Sequence, residues 1–98
     1  MRPYHFEPVA LDEFKSAVQF YESRQPGLGA RFFGVVEEAI LRIRANPLRF
    51  PPLEGNLRKC KLARFPYAII YREARNQIEI IAVMHLRREP NYWRTRIS

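Results

Sequence analysis

The chain of 98 residues has one cysteine, two histidines, four glycines and no apolar run of membrane-spanning length. A lone Cys60 cannot close an internal disulfide, and this points to a reducing compartment. A membrane helix needs about 20 consecutive apolar residues, so no membrane association is expected. Met1 to Ala10 is polar and holds two prolines, unlike a secretory leader, and a cytoplasmic location is expected. His5, His85 and Cys60 offer no ligand pair at a recognised local spacing, so neither a metal nor another cofactor is expected. Gly27-Leu28-Gly29-Ala30 lacks the preceding strand that a phosphate-cradling loop requires. No internal repeat or low-complexity segment is present.

Acidic residues are scarce in one half only. Residues 1 to 55 balance seven Lys and Arg against seven Asp and Glu, whereas residues 56 to 98 set ten bases against Glu73, Glu79 and Glu89, so the whole net charge of +7 lies in the second half. Such asymmetry suits an anionic partner, and equally a basic surface that only keeps a small protein soluble. Hydrophobic residues form 47% of the chain and aromatics 13%, enough for a packed globule rather than a disordered tail. The length suits one domain, residues 1–98, with a small core.

Arg2 to Phe6 reads as a short strand, and Pro8 sits well in the first turn of a following helix. Leu11, Phe14, Val18 and Tyr21 recur at steps of three and four, the stripe of a half-buried helix that Gln25-Pro26-Gly27 ends. A second stripe, Leu28, Phe32, Val35, Val36, Ala39, Ile40 and Ile43, predicts a helix from Leu28 to Ala45, stopped by Asn46-Pro47. Two helices across so short a turn form an antiparallel hairpin. Pro47 to Asn56 predicts an irregular connection pinned by Phe50 and Leu53.

The period then changes to two. Leu57 to Ala63, Tyr67 to Arg72 and Gln77 to His85 read as three antiparallel strands, the last pair joined by a turn at Glu73 to Asn76. The expected class is therefore α+β: a short N-terminal strand, a helical hairpin and a three-stranded meander, with the helices on one face of the sheet. In the last strand Ile78, Ile80, Ala82 and Met84 alternate with Glu79, Ile81, Val83 and His85, so both faces are largely apolar. The face away from the helices needs a cover, from a protein partner or from the C-terminal residues.

Lys59 and Lys61 share a strand face and can hold an anionic surface between them, or merely keep an exposed strand soluble. If the last strand lies between the other two, its end brings Arg87 and Arg88 beside them. A ribonuclease that uses the substrate's own 2′-hydroxyl needs a base, an acid and cations around phosphorus. His85 offers the first, Tyr92 or His85 the second, and Lys59, Lys61 and Arg87 the third. The simpler reading makes His85 a hydrogen-bonded strand end and Tyr92 and Trp93 packing anchors. Alternation sets Cys60 opposite both lysines, as a bystander thiol.

Several short words in order, Asn46-Pro47 with Phe50-Pro51, Arg64-Phe65-Pro66-Tyr67, Ile70-Tyr71-Arg72, and Ile80 to His85 followed by Arg87-Arg88, Pro90 and Trp93, resemble the RelE/ParE superfamily of bacterial toxins. The likeness covers nearly the whole chain and is nearest the ParE branch. In the RelE branch, ribosome-dependent cleavage of mRNA uses two strand lysines, two arginines and a C-terminal tyrosine. Lys59, Lys61 and Arg87 match three of these, while Ala68 and Trp93 stand where the second arginine and the tyrosine would be. An indole gives no proton at useful pH and an alanine no charge, and groups that act as a unit lose most of the rate when any is missing.

The resemblance therefore implies the toxin of a type II, plasmid-stabilising toxin–antitoxin system that binds and poisons DNA gyrase and is neutralised by an acidic antitoxin. Its target-binding residues would be Lys59, Lys61, Arg64, Arg87, Arg88, Tyr92, Trp93 and Arg94. Phe14, Val18, Tyr21, Ile81 and Val83 would meet the antitoxin. The enzymatic alternative is an mRNA endonuclease acting on the ribosome, and a non-toxic nucleic-acid binding module is a third class.

Overall fold

The computed structural model describes residues 1–97 and has the expected α+β class. In chain order it comprises β1 (Tyr4–Phe6), α1 (Pro8–Arg24), α2 (Leu28–Ala45), β2 (Pro52–Glu54), β3 (Leu57–Lys61), β4 (Tyr67–Ala74) and β5 (Gln77–His85), with a short 3₁₀ turn at Arg94–Arg96. The strands form one mixed sheet in the order β1-β5-β4-β3-β2, and β1 runs parallel to β5. No helix among the described residues is long and apolar enough to cross a membrane.

The hairpin is set by the turn between its helices. Glu22, near the end of α1, accepts hydrogen bonds from the Gly27 N–H at 3.0 Å and the Gly29 N–H at 3.0 Å, satisfying amides that the first turn of α2 leaves orphaned. Gly27, at φ 88°, reverses the chain in the left-handed region open to glycine. Gly29 lets the helices touch, because a Cβ there would lie 2.7 Å from the Val18 carbonyl oxygen. Gly29→Ala should therefore cost about 2 kcal/mol through forced separation of the helices. Gly34→Ala, where nothing lies within 4 Å, should be neutral or gain up to about 1 kcal/mol from helix propensity. Urea unfolding of the two variants reads the contrast.

The hairpin buries one side against the sheet. Ala10, Phe14 and Ala17 of α1, and Phe32, Val36, Ala39, Ile40 and Ile43 of α2, pack on Cys60, Ile69, Tyr71, Ile78, Ile80 and Val83. Phe14 stacks on Phe6 with ring centres 5.6 Å apart, and Phe32 meets Phe65 and Tyr67 edge-on. Tyr71 donates to the Pro47 carbonyl at 2.6 Å and burial pushes its phenol up to about 12. Arg58 donates to the carbonyls of Phe50 and Leu48. These bonds pin the proline-rich loop.

Four details depart from the expectations. The loop contains a short edge strand, β2, and Leu53 within it is 39% exposed rather than pinned to the core. Pro52 suits an edge strand, whose outer side has no neighbour for an N–H to reach. The β4–β5 turn is only Arg75-Asn76, both at positive φ (54° and 64°), a two-residue reversal that lets Ala74 pair with Gln77. In the meander the central strand is β4, not the last strand; β5 lies between β4 and β1. Strict alternation also fails in β5. Ile70 pairs with Ala82 but Tyr71 pairs with Ile80, leaving Ile81 as an extra residue in a β-bulge. Ile78, Ile80 and Val83 consequently face the helices, while Ile81, Ala82 and Met84 face the other way.

Candidate functional site

The sheet face away from the helices is covered by the chain's own C-terminal residues. Trp93, 2% exposed, packs with Leu57, Ala68, Ile70, Ile81, Ala82 and Met84, and Tyr92 and Ile97 lie over the margin. Around this cover the bases gather. β3 presents Lys59 and Lys61 on the same face as Ile70 and Ala68, their partners across β4. Arg88 and Trp93 reach the cleft that Lys59 lines, with Leu53 and Pro90 on its rim. Lys59 and Lys61 also flank an apolar strip formed by Phe50, Pro51, Pro52 and Leu53. Arg88 thus shares a cleft with Lys59 although β5 is not central in the meander.

Among the described residues, Lys59, Lys61, Arg64 and Arg87 make no ion pair, whereas Arg94 pairs with Glu54 at 2.9 Å. Arg64, at φ 70°, sits in the β3–β4 loop beside an open cleft of about 740 Å³ that Tyr21, Leu28, Arg31, Val35 and Phe65 also line.

The tail is held by a polar junction at the bulge. The Val83 N–H and the Ile81 carbonyl lie on the stretch of β5 beyond its pairing with β1, which ends at Ile80. Glu13 of α1 accepts from the Val83 N–H at 3.0 Å and from the Tyr92 hydroxyl at 2.6 Å. Arg96 donates to both Glu13 oxygens, at 2.9 and 3.0 Å, and to the Ile81 carbonyl at 3.0 Å. The Arg88 and Arg96 guanidiniums lie over the Tyr92 ring, 4.0 and 4.9 Å from its centre. Burial, and then the bond to Glu13, push the Tyr92 phenol well above its ordinary value. The hydrogen bond to Glu13 likewise raises Arg96.

These contacts divide the residues that sequence alone grouped together. His85 lies on the helix side, its ring edge-on to Tyr67 at 5.0 Å and its Nδ1 accepting from the Arg87 N–H at 3.0 Å. Lys59 and Lys61 lie on the opposite side of the sheet, so the supposed base and the two strand lysines do not converge, although Arg87 adjoins His85. The Tyr92 hydroxyl is spent on Glu13, and Ala68, fully buried, stands opposite Lys61. Trp93 is corrected from a target contact to an internal anchor, since packing leaves it almost no surface. Phe14, Ile81 and Val83, at 7%, 0% and 2% exposure, are likewise buried by the chain itself and have no surface to offer an antitoxin. Val18 and Tyr21 remain partly exposed. Cys60 is buried on the helix side, and that burial raises its thiol.

Two features have no local signal in the sequence. Nothing local marks Glu13, an acid on α1, as the tail's receptor. His5, Glu7 and Glu79 come together, their ligand atoms all within 4.8 Å of one another, through the parallel pairing of β1 with β5 rather than through any local spacing.

A family model described as "ParE toxin of type II toxin-antitoxin system, parDE" matches residues 4–90. The fold is similar to that of a solved chain from a chromosomal ParDE TA system of P. aeruginosa, with 16% identity and a TM-score of 0.64, covering 87% of this chain and 96% of that one. No curated protein matches the chain in sequence.

Proposed function

The chain belongs to the ParE toxin family of type II toxin–antitoxin systems, and from that premise we propose that it arrests growth by binding DNA gyrase and that an acidic antitoxin neutralises it. The observation that carries the binding reading is the separation of the strand lysines from the proton-transfer groups. Lys59 and Lys61 lie on one face of the sheet, while His85 lies on the other, in a cleft it shares with Arg88, and the Tyr92 hydroxyl is bound to Glu13. A surface of unpaired cations beside apolar residues suits docking; transesterification of RNA needs a base and an acid at the same phosphate.

The antitoxin reading draws support from what the hairpin leaves uncovered. Phe20 and Phe33 are 47% and 43% exposed. Between the helices and the β3–β4 loop, the cleft beside Tyr21 and Val35 is rimmed by Arg31 and Arg64. An apolar groove edged by two cations and one acid, Glu38, suits an amphipathic segment with a net acidic face.

The test is supercoiling by purified gyrase. The chain should inhibit it, and Lys59→Glu combined with Lys61→Glu should weaken inhibition by at least about tenfold, the effect of roughly 1.4 kcal/mol of lost complementarity. Both side chains lie outside the core, so the melting midpoint should hold. Supercoiling left untouched at concentrations that stop growth would sink the gyrase target. Transcripts cut during translation would instead favour the nuclease reading.

A further inference from the structure

The pairing of β1 with β5 sets His5 directly opposite Glu79 in a parallel ladder, and Glu7, two residues on, projects from the same side of β1. His5 Nε2 lies 3.7 Å from Glu7 Oε1 and 3.9 Å from Glu79 Oε2. Both gaps exceed a hydrogen bond. Donors bound to one tetrahedral zinc at about 2.0–2.2 Å stand roughly 3.4 Å apart. Contraction of a few tenths of an ångström at His5, with rotation of the partly exposed Glu7 side chain, closes the three onto an ion.

The third ligand is already oriented. Arg72 donates to Glu79 Oε1 at 2.6 Å, which leaves Oε2 turned toward His5 and holds the carboxylate in the fixed pose that outer-shell partners give metal ligands. Arg72 therefore does not compete for the oxygen that would bind.

We infer that His5, Glu7 and Glu79 form a site for a divalent transition metal of the zinc class. One imidazole and two carboxylates make three protein donors and leave a position for water. The imidazole selects against magnesium and calcium, which prefer all-oxygen surroundings. The site lies on the far side of the sheet order from the β3 lysines and does not depend on the gyrase reading. Its consequence is mechanical: the ion ties a three-residue strand, held along one edge only, to its neighbour β5.

The full chain, free of any affinity tag and stripped with chelator, is titrated with zinc chloride by calorimetry and with cobalt by visible absorption. One ion per chain should saturate in the micromolar range. The melting midpoint should rise with zinc as mass action on the folded state requires, and magnesium should not move it. His5→Ala and Glu79→Gln should each abolish both responses, and His85→Ala should leave them intact. Should Glu79→Gln misfold for want of the Arg72 pair, the partly exposed His5 still decides the matter through His5→Ala. The site is overturned if wild type shows no saturable binding up to millimolar zinc, the behaviour of a plain imidazole–carboxylate cluster, or if His5→Ala responds as wild type does.

Discussion

Glu13→Ala should lower the melting midpoint by more than about 10 °C and undock the C-terminal tail before the rest of the fold melts. The carboxylate receives the Val83 amide, the Tyr92 hydroxyl and both terminal nitrogens of Arg96. Removing it leaves each donor without that acceptor in a place where Glu13 and Arg96 retain only 16% and 15% side-chain exposure. Stranding one partner of a buried pair costs about 3–5 kcal/mol, and the remaining exposure argues for the lower end. At this length each kcal/mol moves the midpoint by about 4–8 °C. Trp93 is the only tryptophan, so its emission reports tail docking by itself. It should shift to the red at temperatures where the helical signal is still intact. Arg96→Ala should add little on top of Glu13→Ala, since the two share the junction. A loss below about 1 kcal/mol, as an exposed ion pair gives, would mean that the junction is ornamental.

Trp93→Ala should cost about 3–5 kcal/mol, the range for emptying a buried large aromatic site. The effect differs in kind from that of Glu13→Ala. The indole is the cover over Leu57, Ile70, Ala82 and Met84, so its loss bares a continuous apolar face, and apolar patches of that sort drive association. Chemical unfolding should register the lost stability, and size-exclusion chromatography should show self-association that Trp93→Phe largely prevents. A monomeric Trp93→Ala with unchanged stability would contradict the packing described for the tail.

Periodicity made the helices legible almost to the residue, because each carries one apolar stripe and ends at glycine, proline or asparagine. The α1 stripe is carried partly by Ala10 and Ala17, small residues that let the helix sit close to the sheet. The bulge at Ile81 was not legible: a run of Ile, Ile, Ala, Val and Met looks the same from either face, and only the partner strand decides where one residue is skipped. The basic face could be read from charge and strand alternation. The division of His85 from the lysines depended on which face each strand end takes. Glu13 and the His5 cluster depend on residues far apart in sequence, and no local signal encodes such meetings. Large aromatics such as Tyr92 and Trp93 suit anchoring, yet what they anchor to is set by the tail turning back across the sheet.

The parallel ladder between β1 and β5 joins nearly the two ends of the chain. Local contacts let the helical hairpin form early, but the first strand has no partner until Ile78 to Ile80 exist and have paired with β4. Sheets closed by such distant segments fold slowly for their size, since loop entropy must be overcome before the pairing rewards it. For a protein made one residue at a time, β1 therefore waits unpaired until β5 has emerged.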